Sequence, residues 1–385
     1  MMNLETLRSL LIVEERINLF NEIIKFLEDL DKLEFITYKK FDISEGIIPI
    51  IYIGNNFDAN KVKNVKLFLG AQHNEYNGLF GILEYLKMIK NQKIQVSDFL
   101  IEDQVLILAP LMNPYGFLNP SKDNKSGYYL KNGSNLNRFW RRIFTPEYKH
   151  TKDDFLEYNI PEHAKIIKDI LEEYWEKKDI SIYVLDFHET SLLYRFPREL
   201  SINLNVYYKF NHWLKEGIIQ NIIDLYGIKY FREPLFFKCN RSVDHNHISL
   251  TPKQLDTVFE KLHDYQVKNL GKLAFYFCHS KKSENYCNRL AKIVYGKLKD
   301  ILWETNSPAY SHYFHDHGCF VKMSDATPRK KVYTMELESQ KQFFNLFEEI
   351  ENSKKNPNYF ENKLKSINLS LELAVDSIKE MIKLF

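Results

Sequence analysis

From Gly70 to Asn77 the chain reads Gly-Ala-Gln-His-Asn-Glu-Tyr-Asn, which crowds Gln72, His73 and Glu75 into one short turn. An imidazole nitrogen, a carboxylate and an amide oxygen are ligand types for a divalent ion such as zinc. Three further segments carry complementary chemistry. Asn135-Leu136-Asn137-Arg138 offers amides and a guanidinium, His188-Glu189 an imidazole and a carboxylate, and Glu336 a carboxylate. A hydrolytic metal site needs protein ligands with an open position for water, a general base beside that water, and a cation to hold substrate charge. Together these segments supply each part.

The elements that must position them read as strands and helices in alternation. Apolar runs predict strands over 35–41, 47–53, 65–69, 104–111, 180–187, 273–278 and 331–337. Helical periodicity covers 3–32, 78–89, 161–177, 211–226, 251–267 and 284–302, with two helices beyond 340 broken near Asn356-Pro357. The fold class that follows is α/β: a mixed, mostly parallel twisted sheet with helices on both faces and extra helices at both termini. The chemically capable residues fall at the carboxyl ends of predicted strands, where open α/β sheets bind ligands. The expected division is an N-terminal helical extension over 1–34, a catalytic domain over 35–340 and C-terminal helices over 341–385.

With 385 residues and a net charge of +2, the chain has length for one large domain and no overall pull towards nucleic acid. Four cysteines without a Cys-x-x-Cys pair argue against a disulfide framework. Glu5, Glu14 and Glu15 interrupt the N-terminal apolar pattern, so it reads as an amphipathic helix rather than a signal peptide. No apolar run is long enough to span a membrane. The expected location is cytoplasmic, with neither membrane nor nucleic acid as partner.

The ordered set resembles the zinc metallocarboxypeptidase family of the carboxypeptidase A type, with its succinylglutamate desuccinylase and aspartoacylase relatives. The matching stretches are Gly70 to Glu75, Asn113-Pro114-Tyr115-Gly116, "NLNRFW" from Asn135, "LDFHET" from Leu185 and "YTMELES" from Tyr333, spread over 47–340. The resemblance implies a single zinc ion and hydrolysis of an amide bond beside a free carboxylate. Laid on the family's motif without gaps, Gln72 stands where the first ligand histidine belongs, so the expected ligands are Gln72, Glu75 and His188. A His73/Glu75 pair is the alternative, at a separation of two residues instead of three. Asn135 stands where the family has an aspartate, and an amide there suits a glutamine ligand whose NH₂ needs an acceptor.

By the same resemblance, Glu336 is the general base, with Glu338 as its rival. Asn137 and Arg138 hold the terminal carboxylate. Lys131, then Lys125, is the nearest cation to the family's upstream arginine. Tyr313, before Tyr310, is the mobile tyrosine, and Lys322 lies near the specificity pocket. The favoured substrate is a peptide losing its C-terminal residue. An N-acyl amino acid deacylase is the alternative enzyme, and a catalytically silent binding protein the alternative outside enzymology. Two further histidine groups, His312/His315/His317 and His245/His247, are candidates for a second metal.

Overall fold

The computed structural model describes residues 2–55, 57–121, 127–144, 159–175, 179–190, 273, 275–301, 311–313, 323–327, 331–340 and 358–385. Its centre is an eight-stranded sheet in the order β1-β2-β4-β3-β5-β8-β6-β7. The strands are β1 (Ile36–Ile43), β2 (Gly46–Ile53), β3 (Asn64–Leu69), β4 (Gln104–Ala109), β5 (Ser181–Thr190), β6 (Phe275–His279), β7 (Ser311–Tyr313) and β8 (Val332–Gln340). β4, β3, β5 and β8 run parallel, while β1, β2 and β6 join antiparallel. β1 closes one edge with Lys39, Lys40 and Asp42, charges that discourage pairing with another chain. Pro49 is tolerated in β2 because β4 pairs only with Ile51 to Ile53, beyond it.

Seven of these strands follow from the apolar runs; β7 does not, being three residues long. The helices are α1 (Leu4–Leu11), α2 (Val13–Leu30), α3 (Asn77–Lys90), α4 (Pro114–Leu118), α5 (Glu162–Trp175), α6 (Glu284–Leu298), α7 (Met323–Ala326) and α8 (Tyr359–Leu384). The single helix expected over 3–32 breaks at Ile12, whose extended backbone separates α1 from α2. The helices expected over 211–226 and 251–267, and the first beyond 340, fall outside the described residues.

Side chains alternate across each strand, so the two sheet faces carry different sets. On one face Phe68, Leu185, Phe187, Met335 and Leu337 pack against α2, α3, α6 and α8. On the other, Leu67, Leu69, Ile107 and Val184 meet α5 and the segment holding Leu130, Leu136, Phe139 and Trp140. Register then does the positioning. Leu69 pairs with Asp186, and Asp186 with Glu336, so β3 ends level with these two carboxyls while β5 and β8 run on four residues further.

The terminal helices belong to the same core. α2 buries Leu19, Phe20, Ile23, Ile24, Leu27 and Leu30 at helical spacing, and α8 buries Ile367, Leu371, Ala374, Ile378 and Met381.

One core residue is out of character. Lys66 on β3 is fully buried, its Nζ has no hydrogen-bond partner among the described residues, and it lies 4.8 Å from the Tyr183 ring centroid and 5.8 Å from that of Phe385. Burial pushes its amine down to about 7. An unfolded lysine titrates near ~10.4, so across the window between the two values the unfolded chain holds more protons and stability rises with pH. Below the folded value the penalty is fully present, on the order of 4 kcal/mol. Lys66→Met is therefore expected to stabilise the protein at about pH 6.5 and to gain little near about pH 10.5, read by urea unfolding at both. A variant no more stable than the parent at the lower pH would refute this account.

Candidate metal centre

The loop after β3 is pinned along its length. At Gly70 a Cβ would sit 2.6 Å from the Pro110 carbonyl oxygen, so only glycine lets the chain turn this close to β4. Ala71 follows with a φ of 45°, a left-handed conformation for a non-glycine residue. The N–H groups of Met112 and Asn113 donate to the Gly70 and Ala71 carbonyls at 3.1 and 3.0 Å. At the far end Glu189 Oε1 accepts the Asn77 N–H at 2.7 Å, a carboxylate at the N-terminus of α3 where the helix dipole favours it. Arg16 of α2 donates to the Tyr76 hydroxyl and the Phe117 carbonyl, both at 2.9 Å. Gln72, His73, Asn74 and Glu75 are all buried between these anchors.

Two imidazoles converge on one carboxylate oxygen. His188 Nδ1 lies 2.7 Å and His73 Nδ1 3.4 Å from Glu75 Oε2. One ligand atom from each of His73, Glu75 and His188 falls within 4.8 Å of the others. The outer nitrogens are held as metal-binding imidazoles usually are. His73 Nε2 faces Asn135 Oδ1 at 2.8 Å, and His188 Nε2 faces Asp186 Oδ2 at 2.9 Å. With each Nε2–H donating outward, both Nδ1 atoms are left to face Glu75.

Gln72 is engaged elsewhere. Its Oε1 accepts the Trp140 indole N–H at 2.7 Å and its Nε2 donates to Asp186 Oδ2 at 2.5 Å. In place of the anticipated Gln72–Asn135 pair, Asn135 Oδ1 faces His73 Nε2. Residues 71–76 precede α3 as a bend rather than a helix, and within that bend His73 Nδ1 comes to 3.4 Å from Glu75 Oε2.

Behind His188 the acidic groups are dense. Asp186, His188 and Glu336 form a second set within 4.8 Å of one another. Asp186 Oδ1 and Glu336 Oε2 are buried without a hydrogen-bond partner among the described residues. Burial opposes charge on His188, but Asp186, Glu336 and Glu75 outweigh it and hold the imidazolium well above its ordinary range. Burial likewise opposes charge on Glu75, and His73 and His188 overcome it, holding that carboxyl well below the usual value. Glu336 goes the other way: burial pushes it well up, His188 resists, and Glu338 and Asp186 add to the rise.

The remaining expected residues are spread more widely. Asn137 is buried, with Nδ2 3.3 Å from His188 Nε2, and half-buried Arg138 donates from Nη1 to the Asn137 carbonyl at 3.0 Å. Lys131 is exposed, and its backbone N–H donates to Glu45 at 3.0 Å. Tyr313 and His312 lie on β7, the strand at the sheet edge beyond β6. Lys125, His245, His247, Tyr310, His315, His317 and Lys322 lie outside the described residues. Three functional neighbours were given no role from sequence: Asp186, Trp140 and Tyr128. Asp-x-His within a strand was a usable signal, since it puts both side chains on one face. A core tryptophan also needs a partner for its indole N–H.

No family model matches the chain, and no curated protein matches it. Among solved structures, the chain is similar to a metallo-carboxypeptidase from Burkholderia cenocepacia, with 11% identity, a TM-score of 0.46, and coverage of 93% of this chain and 67% of that one. A Pseudomonas aeruginosa metallo-carboxypeptidase in complex with (2-guanidinoethylmercapto)succinic acid gives 11%, 0.45, 94% and 67%. Bovine thrombin-activatable fibrinolysis inhibitor in complex with tick carboxypeptidase inhibitor gives 11%, 0.48, 94% and 95%. Likeness at this level carries no argument about activity, so the chemistry rests on the side chains themselves.

An ion bound through His188 would displace the proton that the acidic neighbours hold there, so its binding would be coupled to proton release. Zinc titrated near neutral pH is expected to release protons, and its apparent affinity to rise with pH. Calorimetry in buffers of different ionisation enthalpy reads this directly; a heat independent of buffer would contradict it.

Proposed function

We propose that this chain is a zinc-dependent metallocarboxypeptidase, hydrolysing the amide bond next to a peptide's free terminal carboxylate. The observation that carries the reading is the convergence of His73, Glu75 and His188 within 4.8 Å, beside a buried Glu336 carboxyl. Two imidazoles and one carboxylate form a donor set suited to a catalytic zinc that keeps a position open. We take His73, Glu75 and His188 as the ligands in preference to the set containing Gln72. Bound there, zinc would supply Lewis-acid polarisation of an amide carbonyl and of water.

The chain's own groups do the rest. Glu336, whose environment raises its proton affinity, takes a proton from the attacking water and gives it to the leaving amine. Asp186 holds His188 in one tautomer through Nε2. Arg138 with Asn137 binds the substrate carboxylate, the task for which a guanidinium fork is suited. Lys131 and Tyr313 keep the lesser roles of oxyanion cation and mobile tyrosine. The deacylase alternative calls for a β-domain after the catalytic strand, whereas the described chain there is the helix α8. The binding-protein alternative drew on a glutamine in a ligand's place and on the missing upstream arginine, and the first of these motives lapses if His73 ligates.

The test joins metal analysis to turnover. The purified protein is expected to hold about one zinc, lost in His73→Ala and kept in Gln72→Ala with affinity lowered by about 10–100-fold. Glu336→Gln should retain zinc and lose about 10²–10⁴-fold in rate on short peptides. Arg138→Ala should raise KM for peptides with a free carboxylate. Equal cleavage of C-terminally amidated peptides by the parent protein would sink the carboxypeptidase reading.

A further inference from the structure

Two glycines bring a separate loop onto the metal loop. Gly127 has a φ of +98°, open to glycine and strained for other residues. A Cβ on Gly116 would collide with the Gly127 carbonyl oxygen, and one on Gly127 with that of Gly116. The turn at Asn113–Gly116 and residues 127–129 therefore meet backbone to backbone. Asn113 Nδ2 donates to the Tyr129 carbonyl at 3.3 Å and holds them there.

That contact seats the Tyr128 ring flat on His73, with centroids 4.1 Å apart and planes 13° from parallel. The Tyr128 hydroxyl accepts from Asn135 Nδ2 at 3.2 Å. Asn135 Oδ1 accepts from the Asn137 N–H at 2.8 Å and faces His73 Nε2 at 2.8 Å. Tyr128, Asn135 and His73 thus close one ring of side-chain contacts. The Asn137 N–H, which can only donate, fixes which way the Asn135 amide points, and the Tyr128 hydroxyl receives the amide's NH₂. The amide oxygen then requires a proton on His73 Nε2, leaving Nδ1 for Glu75.

We propose that Tyr128 is a positioning residue for the metal ligand His73, setting its ring plane by stacking and steadying Asn135, the acceptor that faces its Nε2. This rests on His73 being a ligand. The experiment loads wild type, Tyr128→Leu, Tyr128→Phe and His73→Ala with Co²⁺ alone. It records the visible absorption, the affinity by chelator competition, the release rate into excess chelator, and the thermal midpoint. Tyr128→Leu is expected to lower Co²⁺ affinity by about 10–100-fold, as loss of a ligand's outer partner does, to speed release and to shift the bands. Tyr128→Phe, which keeps the stack and loses the hydroxyl, is expected to fall between the two. His73→Ala should bind no Co²⁺.

A Tyr128→Leu protein with wild-type affinity, release and spectrum overturns the positioning role and leaves the ligand reading standing. Wild-type protein that takes up no Co²⁺, or His73→Ala that binds as well as wild type, overturns the ligand reading and the positioning role with it. If Tyr128→Leu does not fold, Tyr128→Phe decides: an unchanged spectrum and release rate overturn the proposal, and a shift in both supports it.

Discussion

Asp186 and Glu336 face each other in register on adjacent parallel strands, both buried. Two carboxylates side by side in a low-dielectric interior repel strongly, and burying either without compensation is costly. The arrangement is tolerable only with a proton or a positive charge between them. His188 supplies that charge in the isolated chain, since Asp186, Glu336 and Glu75 all favour its imidazolium. A divalent cation would do so more completely. Much of the surrounding structure serves this constraint: Gln72 and the His188 Nε2 edge both engage Asp186 Oδ2, and Glu75 takes the other edge of the same ring.

The parallel sheet is what makes such a concentration of charge possible. β3 ends level with Asp186 of β5 and Glu336 of β8, so three segments bring polar groups to one place without any one carrying them all. The helices outside the sheet then act on the site from a distance. Arg16, near the start of α2, fastens Tyr76 at the foot of α3 and the Phe117 carbonyl of α4. An N-terminal helical pair that reads in sequence as an addition is tied by this one guanidinium to the turn bearing Glu75.

How far the sequence disclosed this depended on the range of the interaction. Strands β3, β5 and β8 were readable because each contains a local apolar run, although β5 and β8 continue past it to Thr190 and Gln340. What engages the Gln72 amide was not readable, because Trp140 and Asp186 are 68 and 114 residues away. Strand β7 escaped notice because three residues carry no periodicity, and Tyr128 because its approach to His73 depends on two glycines meeting across the fold.

The site also shows where stability has been traded for chemistry. Asp186 Oδ1 and Glu336 Oε2 remain buried and unpartnered among the described residues, as does Lys66 on the same sheet's other face. Each such group costs free energy that the core must offset. The lysine has no ligand-like neighbour and stays a liability relieved only by losing its proton. The two carboxylate oxygens differ, because they lie within reach of a common ligand set. A cation that satisfies them would lower the energy of the folded state alone, since the unfolded chain does not hold these groups together. Metal affinity and folding stability are then one quantity seen from two sides, and the strain left around His188 is the measure of how strongly the fold is built to be completed.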